Sequence, residues 1–220
     1  AFTGQTFTNR HVVNYPAAPL EMNVNVIDNK GGSRLIGTDA THITGTVTVD
    51  AANGGGATVV GNVSELVNLI NGMLTMGNAA TTVVVQGGEL TEVGTIGKHL
   101  MLKGGTVVKF GDVAGNLDVS NGAIVTGIGG AGNIGGDVIL GKDAGNVTVG
   151  NVTGAVNVAG GTLDEVGTIG TTLTLTGGTV VKFGDIAGDL NVSNGGIITG
   201  VGGAGNIGGD VILGKDAGNV

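Results

Sequence analysis

The chain has 220 residues, among them 48 glycines, two prolines and no cysteine, and its formal net charge is −8. Glycine does not recur at every third residue, so a collagen helix is excluded, and two prolines are too few for a proline-rich linker. The absence of cysteine excludes a disulfide framework. The acidic balance argues against nucleic acid or an anionic membrane as partner, and no apolar run of about 18 residues predicts a transmembrane helix.

The first 45 residues differ in composition from the rest of the chain. Both prolines, both arginines and the only tyrosine lie there. The first turn of a stacked fold exposes a strand edge that must be covered. We therefore expect residues 1–45 to form a cap or an interaction segment with an irregular fold. Phe2, Phe7 and Tyr15 are its candidate assembly contacts.

Two short strands are predicted next, within 46–49 and 57–60, where β-branched residues recur. Residues 64–74 are ambiguous. Leu66, Ile70 and Met73 have the i, i+4, i+7 spacing of a helix face. A short helix on one side of the fold and an irregular turn of strands fit this segment equally well.

A 73-residue repeat follows, with copies at 75–147 and 148–220. Residues 91–147 align without a gap with 164–220 and differ from them at 11 of 57 positions. A fixed period of this kind indicates a stacked, quasi-one-dimensional architecture. We therefore divide the chain into the segment 1–45 and a solenoid at 46–220.

Each 73-residue copy contains four shorter segments. In the first copy they begin at Thr82, His99, Asn116 and Asp137, at spacings of 17, 17 and 21 residues with 18 more to the next copy. The second and fourth positions of each segment are aliphatic, which is the alternation of a strand with one buried face. The predicted core positions are Val83, Val85, Leu100, Leu102, Leu117, Val119, Val138, Leu140, Val156, Val158, Leu173, Leu175, Leu190 and Val192.

Turn-forming residues follow each of these strands, for example Gly104-Gly105 and Asn121-Gly122. Glycine there allows a positive φ, so the chain can turn within two residues. A second short strand then follows. Its inward residues are predicted to be Leu90, Val107, Ile124, Leu163, Val180 and Ile197.

These patterns predict an all-β fold, a parallel β-helix (β-solenoid) with about 18 residues per rung, a rung being one turn of the coil. A right-handed coil is expected because parallel crossovers prefer that hand. A left-handed coil of hexapeptides is the alternative, but the spacings do not keep a six-residue period. At ~4.8 Å between successive strands, the rungs from Thr82 onward give a rod of roughly 35–40 Å.

Charged residues support this register. Glu92 and Lys109 occupy the same place in adjacent rungs, and Glu165 and Lys182 repeat the arrangement in the second copy. Stacking would bring each pair about 5 Å apart on the outer surface.

No catalytic, cofactor or metal site is predicted. Glu92 and Asp112 have duplicates at Glu165 and Asp185, which indicates a role at the surface or in turns. A glycan-cleaving site, which clusters carboxylates, is the disfavoured alternative. Calcium held by loop carboxylates is a lesser one; the candidate ligands are Asp137 and Asp143.

Two glycine-rich stretches, 127–132 and 200–205, satisfy the dinucleotide-binding pattern G-x-G-x-x-G. That fingerprint requires the glycines to open a helix directly after a strand. Here another predicted strand follows instead. We therefore interpret both stretches as widened turns of the 21-residue rung.

The repeat resembles the passenger regions of bacterial autotransporter surface proteins, and most of all the rickettsial outer-membrane surface antigens. The resemblance covers residues 75–220 and depends on cysteine-free, aromatic-poor phrases such as GGTVVKFGDVAGNLDVSNGAIVTG at 104–127. It implies an extracellular, cell-surface location and a non-enzymatic role as an adhesin or spacer. The implied partner is a host or neighbouring-cell surface. The translocator barrel of that family has no counterpart in these 220 residues.

The last segment, 210–220, corresponds to 137–147, whereas its counterpart in the first copy continues from 148 to 154. We expect either a piece of a longer repetitive protein or a rung that another molecule completes. In the second case, copies of the chain would join head to tail through the N-terminal segment into a filament or surface layer.

Overall fold

The computed structural model describes most of the chain. The described residues are 2–9, 13–14, 21–29, 35–36, 42–43, 46–50, 57–200 and 205–220. They form a parallel β-solenoid of about nine turns with about 17 residues per turn. No helix occurs within these ranges. The predicted fold class is confirmed.

One side of the solenoid is a ten-stranded parallel sheet, the first sheet, which contains the first predicted strand of each rung. Its strands pair in register, so that Leu100 lies beside Val83 on one side and Leu117 on the other. The strands are β6 (Val47–Asp50), β9 (Val67–Asn71), β11 (Val83–Val85), β13 (Leu100–Leu102), β15 (Leu117–Val119), β17 (Val138–Leu140), β19 (Val156–Val158), β21 (Leu173–Leu175), β23 (Leu190–Val192) and β25 (Val211–Leu213).

A second side is an eleven-stranded parallel sheet, the second sheet, which contains the second strand of each rung. Its strands are β2 (Val13–Asn14), β4 (Leu35–Ile36), β7 (Ala57–Val60), β10 (Met73–Met76), β12 (Glu89–Val93), β14 (Thr106–Phe110), β16 (Ile124–Val125), β18 (Asn146–Thr148), β20 (Thr162–Glu165), β22 (Thr179–Val180) and β24 (Ile197–Ile198).

The third side was not predicted from the sequence. It begins as a four-stranded sheet of β1 (Phe2–Asn9), β3 (Glu21–Asn29), β5 (His42–Ile43) and β8 (Asn62–Val63). It continues from Val63 through Ala79 as a column of single parallel bridges, one in each rung. The bridged residues are Val63, Ala79, Ile96, Val113, Ile134, Val152, Ile169, Ile186 and Ile207. Each rung therefore has three corners and a triangular cross-section.

The core is a continuous aliphatic column along the rod. All fourteen predicted core residues of the first sheet lie inside it, each at most 2% exposed. Burial at this scale contributes about 25 cal/mol per Å² of apolar surface removed from water. No rung has enough such surface alone, so stability depends on the contact of each rung with its neighbours.

Two predicted inward residues of the second sheet are wrong. Ile124 is 37% exposed, and Val125 points inward instead with 1% exposure. In the second copy Ile198 is buried and Ile197 only partly so. The corner before β16 contains one more residue than the corner before β14, and a one-residue shift turns every side chain of a strand to the opposite face.

The helix alternative for residues 64–74 is also wrong. The segment forms β9 and the start of β10. Val67, Leu69 and Leu74 are fully buried, whereas Leu66 and Met73, two members of the supposed helix face, are 40% and 43% exposed. Period-two burial across these strands outweighs the helical spacing, because each strand pairs with a neighbour on both sides.

The sheets continue across residue 45. Of the strands before that residue, β2 and β4 belong to the second sheet and β1, β3 and β5 to the third side. The cap and its candidate contacts stay a prediction: Tyr15 and the side chains of Phe2 and Phe7 lie outside the described residues.

Candidate functional site

A repeated Gly–polar–aliphatic triplet builds the third side of the rod. Examples are Gly94-Thr95-Ile96 and Gly132-Asn133-Ile134, in which the aliphatic residue is buried and forms the bridge. The glycine is required by close stacking. A Cβ on Gly132 would overlap the carbonyl oxygen of Gly111 in the rung before it. The recurring Gly–polar–aliphatic triplet is therefore the sequence signal of the third side.

The polar residues of these triplets form a ladder along one edge of the rod, which we call the first polar ladder. Asn133 Oδ1 accepts a hydrogen bond of 2.9 Å from the backbone N–H of Asn151. Asn151 Oδ1 in turn accepts one of 2.9 Å from the N–H of Thr168. Because backbone N–H groups must find partners, these side chains supply an acceptor where the coil turns a corner.

A second polar ladder lies where the chain enters the first sheet. His99 Nδ1 accepts a hydrogen bond of 3.0 Å from the N–H of Asn116. Asn116 Oδ1 accepts one of 3.0 Å from the N–H of Asp137, and Asp137 Oδ1 accepts one of 2.8 Å from the N–H of Ala155. The ladder therefore links four successive rungs of the first sheet.

The aspartates considered as catalytic acids are members of the first polar ladder. Asp112 Oδ1 accepts hydrogen bonds from both the backbone N–H and the side-chain amide of Asn133, at 2.9 and 3.0 Å. Asp185 makes the same two contacts with Asn206. The two carboxylates therefore have the same structural role in the two copies.

The predicted cross-rung ion pairs are present in the structure. Lys109 Nζ lies 2.5 Å from Glu92 Oε1, and Lys182 Nζ lies 2.6 Å from Glu165 Oε1. Glu92 and Lys109 are direct partners in the register of β12 and β14. All four side chains are between 43% and 52% exposed, so each pair contributes only about 0–1 kcal/mol.

The described residues contain no group of three or more His, Cys, Asp or Glu side chains that could hold a metal ion. Of the two carboxylates considered for calcium, Asp137 accepts the hydrogen bond from Ala155 and Asp143 is exposed. Calcium binding there stays a prediction.

The first widened turn, 127–132, is a loop between β16 and the bridge residue Ile134. Gly127, Gly129 and Gly130 have φ values of 61°, 85° and 136°, which favour glycine. Ile128 at its tip is 69% exposed. Most of the second widened turn, 201–204, lies outside the described residues.

The differences between the two copies concentrate on one outer surface. Six of the 11 differing positions lie on or beside β13 and β15 of the first sheet. We call this surface of the first copy the variable face. Its residues are Lys98, His99, Met101, Lys103, Asn116 and Asp118, and their counterparts are Thr171, Thr172, Thr174, Thr176, Asp189 and Asn191.

Charge and burial distinguish the variable face. Lys98, His99 and Lys103 are exposed, and neither lysine has an ion-pair partner among the described residues. Asp118 lies between Met101 and Ile139 in the sheet register. Burial raises the pKa of the Asp118 carboxyl; a charge on His99 acts to lower this pKa, and Asp137 acts to raise it.

Within the described ranges, no helix is long and apolar enough to cross a membrane. No protein-family model, curated protein or solved structure matches the chain.

Proposed function

We propose that the chain is a non-enzymatic extracellular rod, displayed on a bacterial surface like an autotransporter passenger, which acts as an adhesin or spacer. The continuous core of stacked parallel rungs is the observation that carries the proposal. It makes the rod stiff along its axis and leaves its outer side chains free to vary. The likeness of the repeat phrases to rickettsial surface antigens supports the location.

The disposition of the acidic residues supports a role other than catalysis. Asp112 and Asp185 accept inter-rung hydrogen bonds, and Glu92 and Glu165 are paired with lysines. Each therefore has a structural partner that is repeated in the other copy. Variation between the copies falls instead on the variable face, which is the surface that we expect to contact a host or neighbouring cell.

Two shortened chains of equal length test this proposal. Deleting residues 91–163 joins Leu90 to Asp164, the counterpart of Thr91, and keeps the register. Deleting 148–220 ends the chain at Val147, the counterpart of Val220. Both are shorter by four rungs, or about 19 Å at the usual strand spacing. Only the second retains the variable face.

The full chain and both deletions would be attached to beads and measured for cell binding and for the bead-to-cell distance. An adhesin that uses the variable face loses binding only on deletion of 91–163. A spacer shows the same decrease in distance with either deletion. The proposal is refuted if beads that carry the full chain do not bind cells and if, with a receptor-binding tip on the chain, the bead-to-cell distance does not depend on chain length. Circular dichroism checks that each deletion folds.

The alternative is a subunit that assembles head to tail into a filament or layer. In this alternative the next copy would cover Val211 and Leu213, which are 52% and 57% exposed in the last described rung, whereas their counterparts Val138 and Leu140 are fully buried between rungs. Light scattering of the purified chain over a range of concentrations separates the two proposals: a filament subunit grows in mass, and the surface rod remains monomeric.

A further inference from the structure

One member of the second polar ladder can change its hydrogen-bonding character with pH. At the same place in the rungs, the other side chains that accept a backbone N–H are those of Asn116, Asp137 and, further along the rod, Asp189, and all of them accept through oxygen. His99 accepts through Nδ1, at 3.0 Å from the N–H of Asn116. An imidazole nitrogen accepts a hydrogen bond only while it carries no proton, and both nitrogens are donors in the cation.

The surroundings of His99 supply a second partner for the cation. Asp118 lies on β15 in the next rung, beside Met101, which follows His99 by two residues and so lies on the same face of the sheet. A charge on His99 therefore acts on the Asp118 carboxyl. Asp137 is the next acidic group along the ladder. Lys98 precedes His99 in its own rung, and the previous rung presents the uncharged Thr81 and Thr82. A protonated imidazole thus loses the Asn116 amide and is attracted by Asp118.

We propose that His99 is a pH-dependent latch between the rungs of β13 and β15: the neutral imidazole holds the N–H of Asn116, and the imidazolium releases it and turns toward Asp118. The latch lies on the variable face, so mild acid changes the surface that distinguishes the first copy from the second. The latch does not depend on the proposed adhesive or spacer role.

The second copy supplies matched controls. Thr172 occupies the place of His99, and Asn191 occupies the place of Asp118. The variants His99→Thr and Asp118→Asn therefore introduce residues that this fold already accommodates in an equivalent rung. Asp189 is the counterpart of Asn116, and the rung before it has Thr172 in the place of His99. The amide of Asp189 therefore serves as the reference within the same molecule.

The experiment is an NMR titration of the full ¹⁵N-labelled chain between pH 7.5 and 5. We expect the His99 ring at neutral pH to carry its proton on Nε2. The Asn116 amide shift should follow the titration of the ring with the same midpoint. Hydrogen exchange of this amide, corrected for intrinsic pH dependence, should accelerate about fivefold in acid, as expected for one lost hydrogen bond. The Asp189 amide should show neither effect.

His99→Thr should abolish the pH response of the Asn116 amide, and Asp118→Asn should remove the contacts of the protonated ring with residue 118. The proposal is overturned if the neutral ring carries its proton on Nδ1. It is equally overturned if the Asn116 amide does not follow the ring, or if its response persists in His99→Thr.

Discussion

Replacing Gly132 with alanine tests whether close stacking of the rungs holds the third side together. The added Cβ would overlap the carbonyl oxygen of Gly111 and lie 2.8 Å from the backbone nitrogen of Asp112, whereas real Cβ atoms essentially never come within 3.0 Å of such atoms. Both of these atoms belong to the backbone, so the overlap cannot be relieved by the movement of a side chain. The two rungs must separate, and this disturbs the bridge between Val113 and Ile134.

Overpacking of a tight interior costs typically 1–3 kcal/mol and sometimes more. Since nothing flexible absorbs the overlap, we expect Gly132→Ala to lower the free energy of unfolding by about 3 kcal/mol or more. At a urea slope of about 3 kcal/mol per molar, this is a decrease of about 1 M in the unfolding midpoint. The chain has no tryptophan, so far-UV circular dichroism is the appropriate signal.

Gly122→Ala is the matched control. A Cβ there would meet nothing within 4 Å, but the φ of Gly122 is 70°, so the cost is left-handed strain of about 1–2 kcal/mol. Gly205→Ala repeats the Gly132 overlap in the second copy, against Gly184. A midpoint for Gly132→Ala equal to or above that of Gly122→Ala would refute the close-stacking argument.

Three other substitutions test the polar contacts. Asn151→Ala removes the acceptor that the Thr168 N–H uses in the first polar ladder and should cost about 1 kcal/mol in thermal or urea unfolding, whereas Asn151→Asp keeps the acceptor and should cost less; equal losses would contradict the acceptor role. Lys109→Glu places like charges beside Glu92 and should cost about 1 kcal/mol or less, an effect that decreases in high salt; a salt-independent loss would count against an ionic cause. Asp118 binds its proton more tightly in the folded chain than in the unfolded chain, so its contribution to stability is greatest in acid and is lost as pH rises through the raised pKa. Asp118→Asn should therefore flatten this part of the stability-versus-pH curve in urea unfolding at several pH values, and an unchanged curve would exclude burial of the carboxyl as the cause.

The first sheet could be predicted in detail because its pattern is strictly local. Each of its strands in the repeats has two inward aliphatic residues, one on either side of an outward residue. The 17-residue spacing from Leu100 to Leu117 also predicts the observed register, in which these two residues are partners. The inward orientation of Val125, in place of Ile124, could not be predicted in the same way. It depends on the number of residues in the corner before β16, where Asn121 takes a positive φ of 52°. A corner can absorb one residue without any change in hydrophobic pattern.

The third side was missed because it has no strand-length run of alternation. Single bridges such as Ile96–Val113 bury one residue per rung, and one apolar residue among glycines is a weak signal in a single rung. The signal becomes clear only when Gly94-Thr95-Ile96 is placed above Gly111-Asp112-Val113 and the column is read downward. The acceptor role of His99 depends on which ring nitrogen faces the next rung, which composition and spacing do not contain.

The polar ladders have a direction along the rod. In the described rungs, each ladder bond to a backbone N–H has its donor in the later rung and its side-chain acceptor in the earlier one, as in Asn151 to Asn133 and Asp137 to Asn116. The edge of a rung that faces its successor therefore presents a row of side-chain acceptors. Backbone bonds between the same rungs also run the opposite way, as from the N–H of Ile134 to the carbonyl oxygen of Asn151. The two edges of a rung are thus chemically different, and rungs make all of their ladder bonds only when they stack with one polarity.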